Sequence, residues 1–307
     1  MANTIGWGQA AVNNTIDWGK GKTNNTIGWG TIYSSSPYGD TDLVGTPAGD
    51  ADALAFISAA AITDDTQKSA IDKLVVDLKG YGIWSKMKAI YPFVGGTAAQ
   101  HKFNLKNPLD TDAAFRLVFS GGWVHSSTGA KPNGTNAYAD TKLIPFNNLT
   151  NNNYHLSNYS RTQIITTPDA AFDMGCSQAN GVIIALSQYL NASTKKVLYA
   201  GNVGYGFISA DNTNTLGFQI GTRPSQTSAK MFMNNVSQGT VTNENPFLLP
   251  VTNFLIATQF SGGLGAPYGF SSREKAFASI GDGLTDTEAA NYYTAVQTFQ
   301  TTLSRNV

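Results

Sequence analysis

The chain reads as a mainly β protein: a two-sheet sandwich or jelly roll braced by two helices and preceded by an extended arm. Three observations predict this. From about Tyr91 to Phe277, short runs of β-branched, aromatic and aliphatic residues alternate with clusters of Gly, Asn, Pro and Ser, the signature of many short strands. Two other stretches carry a helical period with capping signals. The first thirty-odd residues write one phrase three times: Asn3-Thr4-Ile5-Gly6-Trp7-Gly8, Asn14-Thr15-Ile16-Asp17-Trp18-Gly19 and Asn25-Thr26-Ile27-Gly28-Trp29-Gly30.

Strands are predicted at Phe115–Phe119, Gly181–Leu186, Lys196–Ala200, Gly204–Ile208, Leu216–Ile220, Ala229–Met233, Phe254–Thr258 and Lys275–Ile280, with Met233-Asn234-Asn235-Val236 as a hairpin. The first helix, near 64–79, starts at Asp64 with Gln67 three residues on as a capping box. It carries Ala70, Ile71, Leu74, Val75 and Leu78 on one face and stops at Gly80. Residues 83–90 follow as a short helix or strand, ended before Pro92. The last helix, near 286–303, is capped by Thr285 with Glu288 in its box, and its buried stripe is Ala289, Tyr292, Tyr293, Val296, Phe299 and Leu303.

In the arm each Ile and Trp lie two apart, so an extended copy points Ile5 and Trp7, Ile16 and Trp18, Ile27 and Trp29 to one face. The 11-residue period also suits a right-handed helical supercoil, but six glycines in the repeats oppose a helix. The spacer from Lys20 to Asn25 reads as a turn, giving strand, turn, strand, turn. Burying three indoles falls short of the entropy of ordering about thirty residues, so the arm is expected to dock on its own body, a sister copy or another protein. Residues 34–52, rich in Ser, Pro, Gly and Asp, read as a linker, and 53–307 as the body. Asp40 with Asp42 and Asp50 with Asp52 have the alternate spacing of a calcium loop but lack the further oxygens, and read as linker acids.

Charged residues make up 13% of the 307, and 20 Lys and Arg balance 20 Asp and Glu, which speaks against a basic nucleic-acid face. Met1 is followed by Ala2-Asn3-Thr4, not by a basic and then apolar run, so no secretion signal is expected, and no apolar run is long enough to span a membrane. The single Cys176 reads as a small buried side chain. Glu244, Glu274 and Glu288 stand alone, and Asp110 with Asp112 sits beside Pro108 in a turn setting, so no carboxylate pair of a glycosidase is expected. His101, His125 and His155 show neither zinc spacing nor a triad. No catalytic residue, metal or cofactor is assigned.

Sugar binding stays open. Aromatic and amide-rich stretches supply Trp123 with His125, Tyr138, Tyr154, Tyr159 with Arg161, and Tyr268 as candidate glycan contacts, or equally as contacts between subunits.

The Trp repeats, the segment from Leu78 to Pro92, the run Phe119-Ser120-Gly121-Gly122-Trp123 and the tail Ile280-Gly281-Asp282-Gly283-Leu284-Thr285-Asp286 resemble virion structural proteins of tailed bacteriophages, more narrowly of crAss-like and related phages of Bacteroidota. The β body is similar to the concanavalin A-like lectin and glucanase sandwich. The resemblance implies a non-enzymatic fibre, decoration or adhesin subunit made in the host cytoplasm and carried on the virion. It also implies a homotrimer held by its arm to capsid, portal or tail proteins. The alternatives are an adhesin for host-surface glycans and a cell-surface polysaccharide hydrolase.

Overall fold

The computed structural model describes residues 23–24, 33–34, 49–164, 170–190, 195–202, 207–242 and 248–307. The chain divides into two compact units, Met1–Ala51 and Asp52–Val307. In the first, strand β1 (Thr23–Asn24) pairs antiparallel with β2 (Tyr33–Ser34), so two residues expected in a turn are a strand. The anchoring candidates Ile5, Trp7, Ile16, Trp18, Ile27 and Trp29 lie outside the described residues.

The body is mainly β. In chain order it runs α1 (Ala51–Ala59), α2 (Asp65–Gly80), β3 (Met87–Tyr91), α3 (Ala98–His101), β4 (Val118–Ser120), β5 (Trp123–Ser126), β6 (Gly129–Pro132), β7 (Tyr138–Asp140), α4 (Pro145–Asn148) and β8 (Tyr154–Ser160). There follow β9 (Ala170–Ala171), β10 (Met174–Ser177), β11 (Val182–Leu190), β12 (Lys195–Asn202), β13 (Phe207–Asp211), β14 (Gly217–Ser225), β15 (Ser228–Met233) and β16 (Val236–Val241). Last come β17 (Leu255–Ile256), β18 (Gln259–Ser261), β19 (Ala266–Tyr268), β20 (Lys275–Gly281) and α5 (Asp286–Thr302).

Two sheets result, antiparallel except where β18 joins β10 in parallel. The middle sheet runs β16-β15-β14-β8-β20-β6-β5 with β3 also on β20, and the outer sheet runs β13-β12-β11-β10-β17-β7-β4. The middle sheet is covered on both faces. Strands β8 and β20 are buried at all seven positions each. Along β8, Tyr154 and Leu156 meet the outer sheet's Met174, Ile184, Leu186 and Leu198, whereas Tyr159 meets the helices' Tyr292 and Phe299 cluster. Gly221 lets the sheets approach closely, because a Cβ there would stand 2.5 Å from Leu198 Cδ1 and 2.7 Å from Leu186 Cδ2.

Helices α2 and α5 form the third layer. Asp64 caps α2 through the Gln67 N–H (2.8 Å), but the Gln67 carboxamide does not close the box; its Oε1 accepts from Gly95 N instead. The α5 box is complete, Thr285 and Glu288 each holding the other's backbone N–H. Thr285→Ala is therefore expected to cost about 1 kcal/mol in thermal or urea unfolding. Of the expected α5 stripe, Tyr293 and Leu303 are half-buried at the margin.

Two strand expectations shorten for one backbone reason. Phe115 (φ 60°) and Ala257 (φ 69°) take left-handed conformations that stop a ladder, leaving β4 to start at Val118 and β17 with two residues. Residues 204–206 of the expected Gly204–Ile208 strand lie outside the described residues. The Asn234-Asn235 hairpin stands as read, both residues at positive φ as a two-residue primed turn requires.

The helix-facing side of the middle sheet holds a buried polar chain. His155 Nδ1–H donates to Asp282 O (2.6 Å), which leaves Nε2 to accept from Ser279 Oγ (3.1 Å), and Ser279 meets Ser157 Oγ at 2.7 Å. Burial holds His155 down to about 4. Facing the outer sheet lies a charged layer. The Arg273 guanidinium donates from Nε and Nη2 to the two oxygens of Asp173, both at 2.8 Å, and Lys275 Nζ and Ser271 Oγ also bond Asp173 Oδ1. All four side chains are fully buried.

Candidate binding site

The chain crosses from the outer sheet to the middle sheet at Ser120-Gly121-Gly122. Gly121 has φ +75°, and a Cβ there would stand 2.3 Å from Asn136 O, so only glycine turns this corner. The crossing sets Phe119 of β4 against Trp123 and His125 of β5, with ring centroids 5.3 and 4.7 Å apart at steep angles. Trp123 and His125, two apart on one strand face, stack at 6.1 Å and 27°. The Trp123 indole N–H is held by Ser120 O (3.0 Å) and Tyr138 O (3.2 Å), which fixes a half-buried ring in one orientation.

Behind this corner His125 Nδ1 lies 2.9 Å from His101 Nδ1, so one ring donates and the other must be a neutral acceptor. His101 is buried against Phe93, and its Nε2 has no partner. Burial first, and then His125, hold His101 down to about 3; burial also lowers His125. Beside Phe119 an open groove of about 320 Å³ is lined by Ala98, Ala99, Leu117, Lys102 and Arg116. Its cations are matched: Lys102 bonds Asp110 (2.5 Å), and Arg116 reaches Asp110 and Asp112, both at 2.9 Å. Hydrogen bonds from Lys102 and then Arg116 hold the Asp110 carboxyl below its usual range.

The structure thus brings together Trp123 and His125, and joins Tyr138 to Trp123 through its backbone carbonyl. It does not bring Tyr154 and Tyr159 to the surface: both are core residues of β8, at 1% and 0% exposure. Arg161 is half-buried, its Nε donating to Arg305 O (2.8 Å), and so pins the C-terminal segment. Tyr268 is exposed on β19. Sequence reasoning missed Phe119, His101, Lys102 and Arg116 as members of this surface. The one signal for them was Arg116 standing four residues beyond Asp112 and six beyond Asp110. Cys176 is buried, which pushes its thiol up and away from reactivity. Among the described residues no three His, Cys, Asp or Glu converge as metal ligands, and no helix is long and apolar enough to cross a membrane.

No family model and no curated protein matches the chain. Solved structures with partial likeness include domain 4 of an extracellular arabinanase from Geobacillus stearothermophilus in complex with arabinotriose (15% identity, 68% of this chain and 98% of that one, TM-score 0.47). A Trypanosoma rangeli sialidase mutant with trans-sialidase activity matches at 11% identity over 75% of this chain and 39% of its own, TM-score 0.49. A botulinum neurotoxin type C structure, concerned with its interaction with two ganglioside molecules, matches at 10% identity over 70% and 52%, TM-score 0.49.

Proposed function

We propose that the chain is a non-catalytic glycan-binding protein, and that its ligand lies across the Phe119–Trp123–His125 corner and the adjoining groove. The observation that carries this is the fixed orientation of Trp123. An indole whose N–H is already bonded to backbone offers an apolar ring edge and face without loss of rotamer freedom. The adjoining groove offers guanidinium and ammonium groups paired with carboxylates to no net charge, suited to hydroxyl groups and not to a polyanion. Catalysis is disfavoured by the same contacts: glycoside hydrolysis needs one carboxyl kept protonated, and Asp110 is held ionised by two cations. Glu274 is engaged by Thr128 and Arg161.

The full chain is expected to bind a neutral polysaccharide on a glycan array with a change in tryptophan fluorescence. Trp123→Ala should weaken that binding about thirty-fold, roughly 2 kcal/mol, while Tyr268→Ala leaves it unchanged. No binding to any polysaccharide, or loss with Tyr268→Ala and not with Trp123→Ala, would overturn the reading.

A second reading concerns what carries this module, and the thrice-written Trp phrase favours it. The arm would anchor the chain to a phage particle, as a trimeric fibre or decoration subunit with a concanavalin A-like body, in line with the resemblance stated above. Deleting residues 1–33 is expected to leave a folded body that no longer joins the particle; normal incorporation of the truncated chain would count against it.

A further inference from the structure

The charged layer inside the sandwich is unbalanced in two ways. It holds two cations, Arg273 and Lys275, against the single carboxylate of Asp173, all fully buried. It also holds Asn158, equally buried, whose Oδ1 and Nδ2 both lack a hydrogen-bond partner, whereas Gln188, Gln219 and Arg273 nearby each leave one atom unpartnered and bond through the others. Either feature is costly in an interior and is ordinarily removed.

Strand register places the two side by side. In the ladder between β8 and β20, Lys275 is opposite Ser160 and Ala278 is opposite Asn158, with a bulge between. Ser160 and Asn158, two apart on β8, share a face. That face looks to the outer sheet: Gln219, directly opposite Asn158 on β14, donates to Ser187 O and Val197 O of β11 and β12. Lys275 reaches the same layer, since Asp173 is bonded through its backbone to Leu186 O and through Oδ2 to Gln188 N. Lys275 and Asn158 are thus diagonal neighbours on adjacent strands, a spacing that a lysine side chain spans. Asp173, between β9 and β10 of the outer sheet, bonds Lys275 from the opposite side.

We propose that Lys275 and Asn158 form an intramolecular isopeptide bond, with Asp173 as the proton relay. The Nζ lone pair attacks Cγ of Asn158; the Nζ–Cγ bond forms and the Cγ–Nδ2 bond breaks. Two protons of the lysine ammonium pass through the Asp173 carboxylate to Nδ2, which departs as ammonium. No electrons change hands and no co-reactant is needed. The product is neutral, so Asp173 and Arg273 remain as a one-to-one pair, and the unpartnered carboxamide is consumed. Burial also lowers Lys275 to about 8, which makes the free amine accessible near neutral pH. The fold supplies the proximity that amide aminolysis lacks in water. The bond would tie the two central strands of the middle sheet.

Intact-mass measurement of the denatured full chain tests this. The expected mass is below the sequence mass by one ammonia, with protease digestion releasing one branched peptide that joins Asn158 to Lys275. Lys275→Gln, Asn158→Ser and Asp173→Asn should each show full sequence mass and no branched peptide. The wild-type digest decides the matter even if a variant fails to fold. Full mass in the wild-type chain, ammonia loss without a branched peptide, or loss of water with the branch at Asp173 would each overturn the proposal.

Discussion

Between pH 7 and pH 5 the protein is expected to lose about 4 kcal/mol of stability, as much as many domains possess. Two imidazoles account for most of this, and His125, also lowered by burial, adds in the same direction. His155 lies wholly inside the middle layer with its Nδ1–H donated to Asp282 O, and His101 is buried against Phe93 and faces His125. Burial holds the first down to about 4 and the second to about 3, both below the value near 6.5 of an unfolded chain. Below about pH 6.5 the unfolded state therefore binds protons that the folded state refuses. Stability is full above that pH and falls, by about 1.4 kcal/mol per pH unit for each ring, as the pH drops toward the folded values. Urea unfolding at successive pH values measures this slope. His155→Gln, which keeps a donor and an acceptor, should roughly halve it. A flat profile from pH 7 to pH 5 would contradict the assignment of both rings as neutral.

Asp173→Ala is expected to destabilise the body by about 3–5 kcal/mol, because it strands the Arg273 guanidinium in the interior. Four hydrogen-bond donors converge on that carboxylate from side chains, and a fifth comes from Gln188 N. Removing it leaves Arg273 Nε and Gln188 N unmatched, and Arg273 Nη2 with only Ala171 O, beyond reach of water. The neighbouring cations, Arg273 first and then Lys275, hold Asp173 ionised against its burial, so the pair persists well into acid. Equilibrium unfolding in urea checks the magnitude. A loss under 1 kcal/mol would mean that the layer relaxes to admit solvent.

The helices were legible because their signals are local. Thr285 and Glu288 sit three apart and make the complete cap that their spacing promises, and the apolar residues of α2 are its buried face. Strand β8 was not legible. Tyr154-His155-Leu156-Ser157-Asn158-Tyr159-Ser160 carries the amides, hydroxyls and imidazole of a surface loop, yet it is the strand on which both neighbouring layers close. Its imidazole and the Ser157 hydroxyl are tolerated there because distant parts of the chain supply their partners, Ser279 and Asp282 for His155 and Ser279 again for Ser157, whereas the Asn158 carboxamide is left without one. That mistaken exposure is also why Tyr154 and Tyr159 looked like ligand contacts.

The binding corner divides in the same way. Trp123, His125 and Tyr138 stood out as aromatic and polar residues in Gly- and Asn-rich text. That Phe119 faces Trp123 and His125 is decided by a glycine corner between two sheets, and that His101 meets His125 by the packing behind it. By itself, the order of residues determined the β-rich composition, the caps and stripes of the two long helices, the Asn-Asn hairpin and the repeat of the arm, because each depends on neighbours within a few residues. Only the tertiary structure decided which polar strand lies at the centre, which carboxylates are already neutralised and which buried lysine lies diagonal to which asparagine. Those facts are set by the register of strands far apart in the chain, where a one-residue slip would turn every side chain to the opposite face.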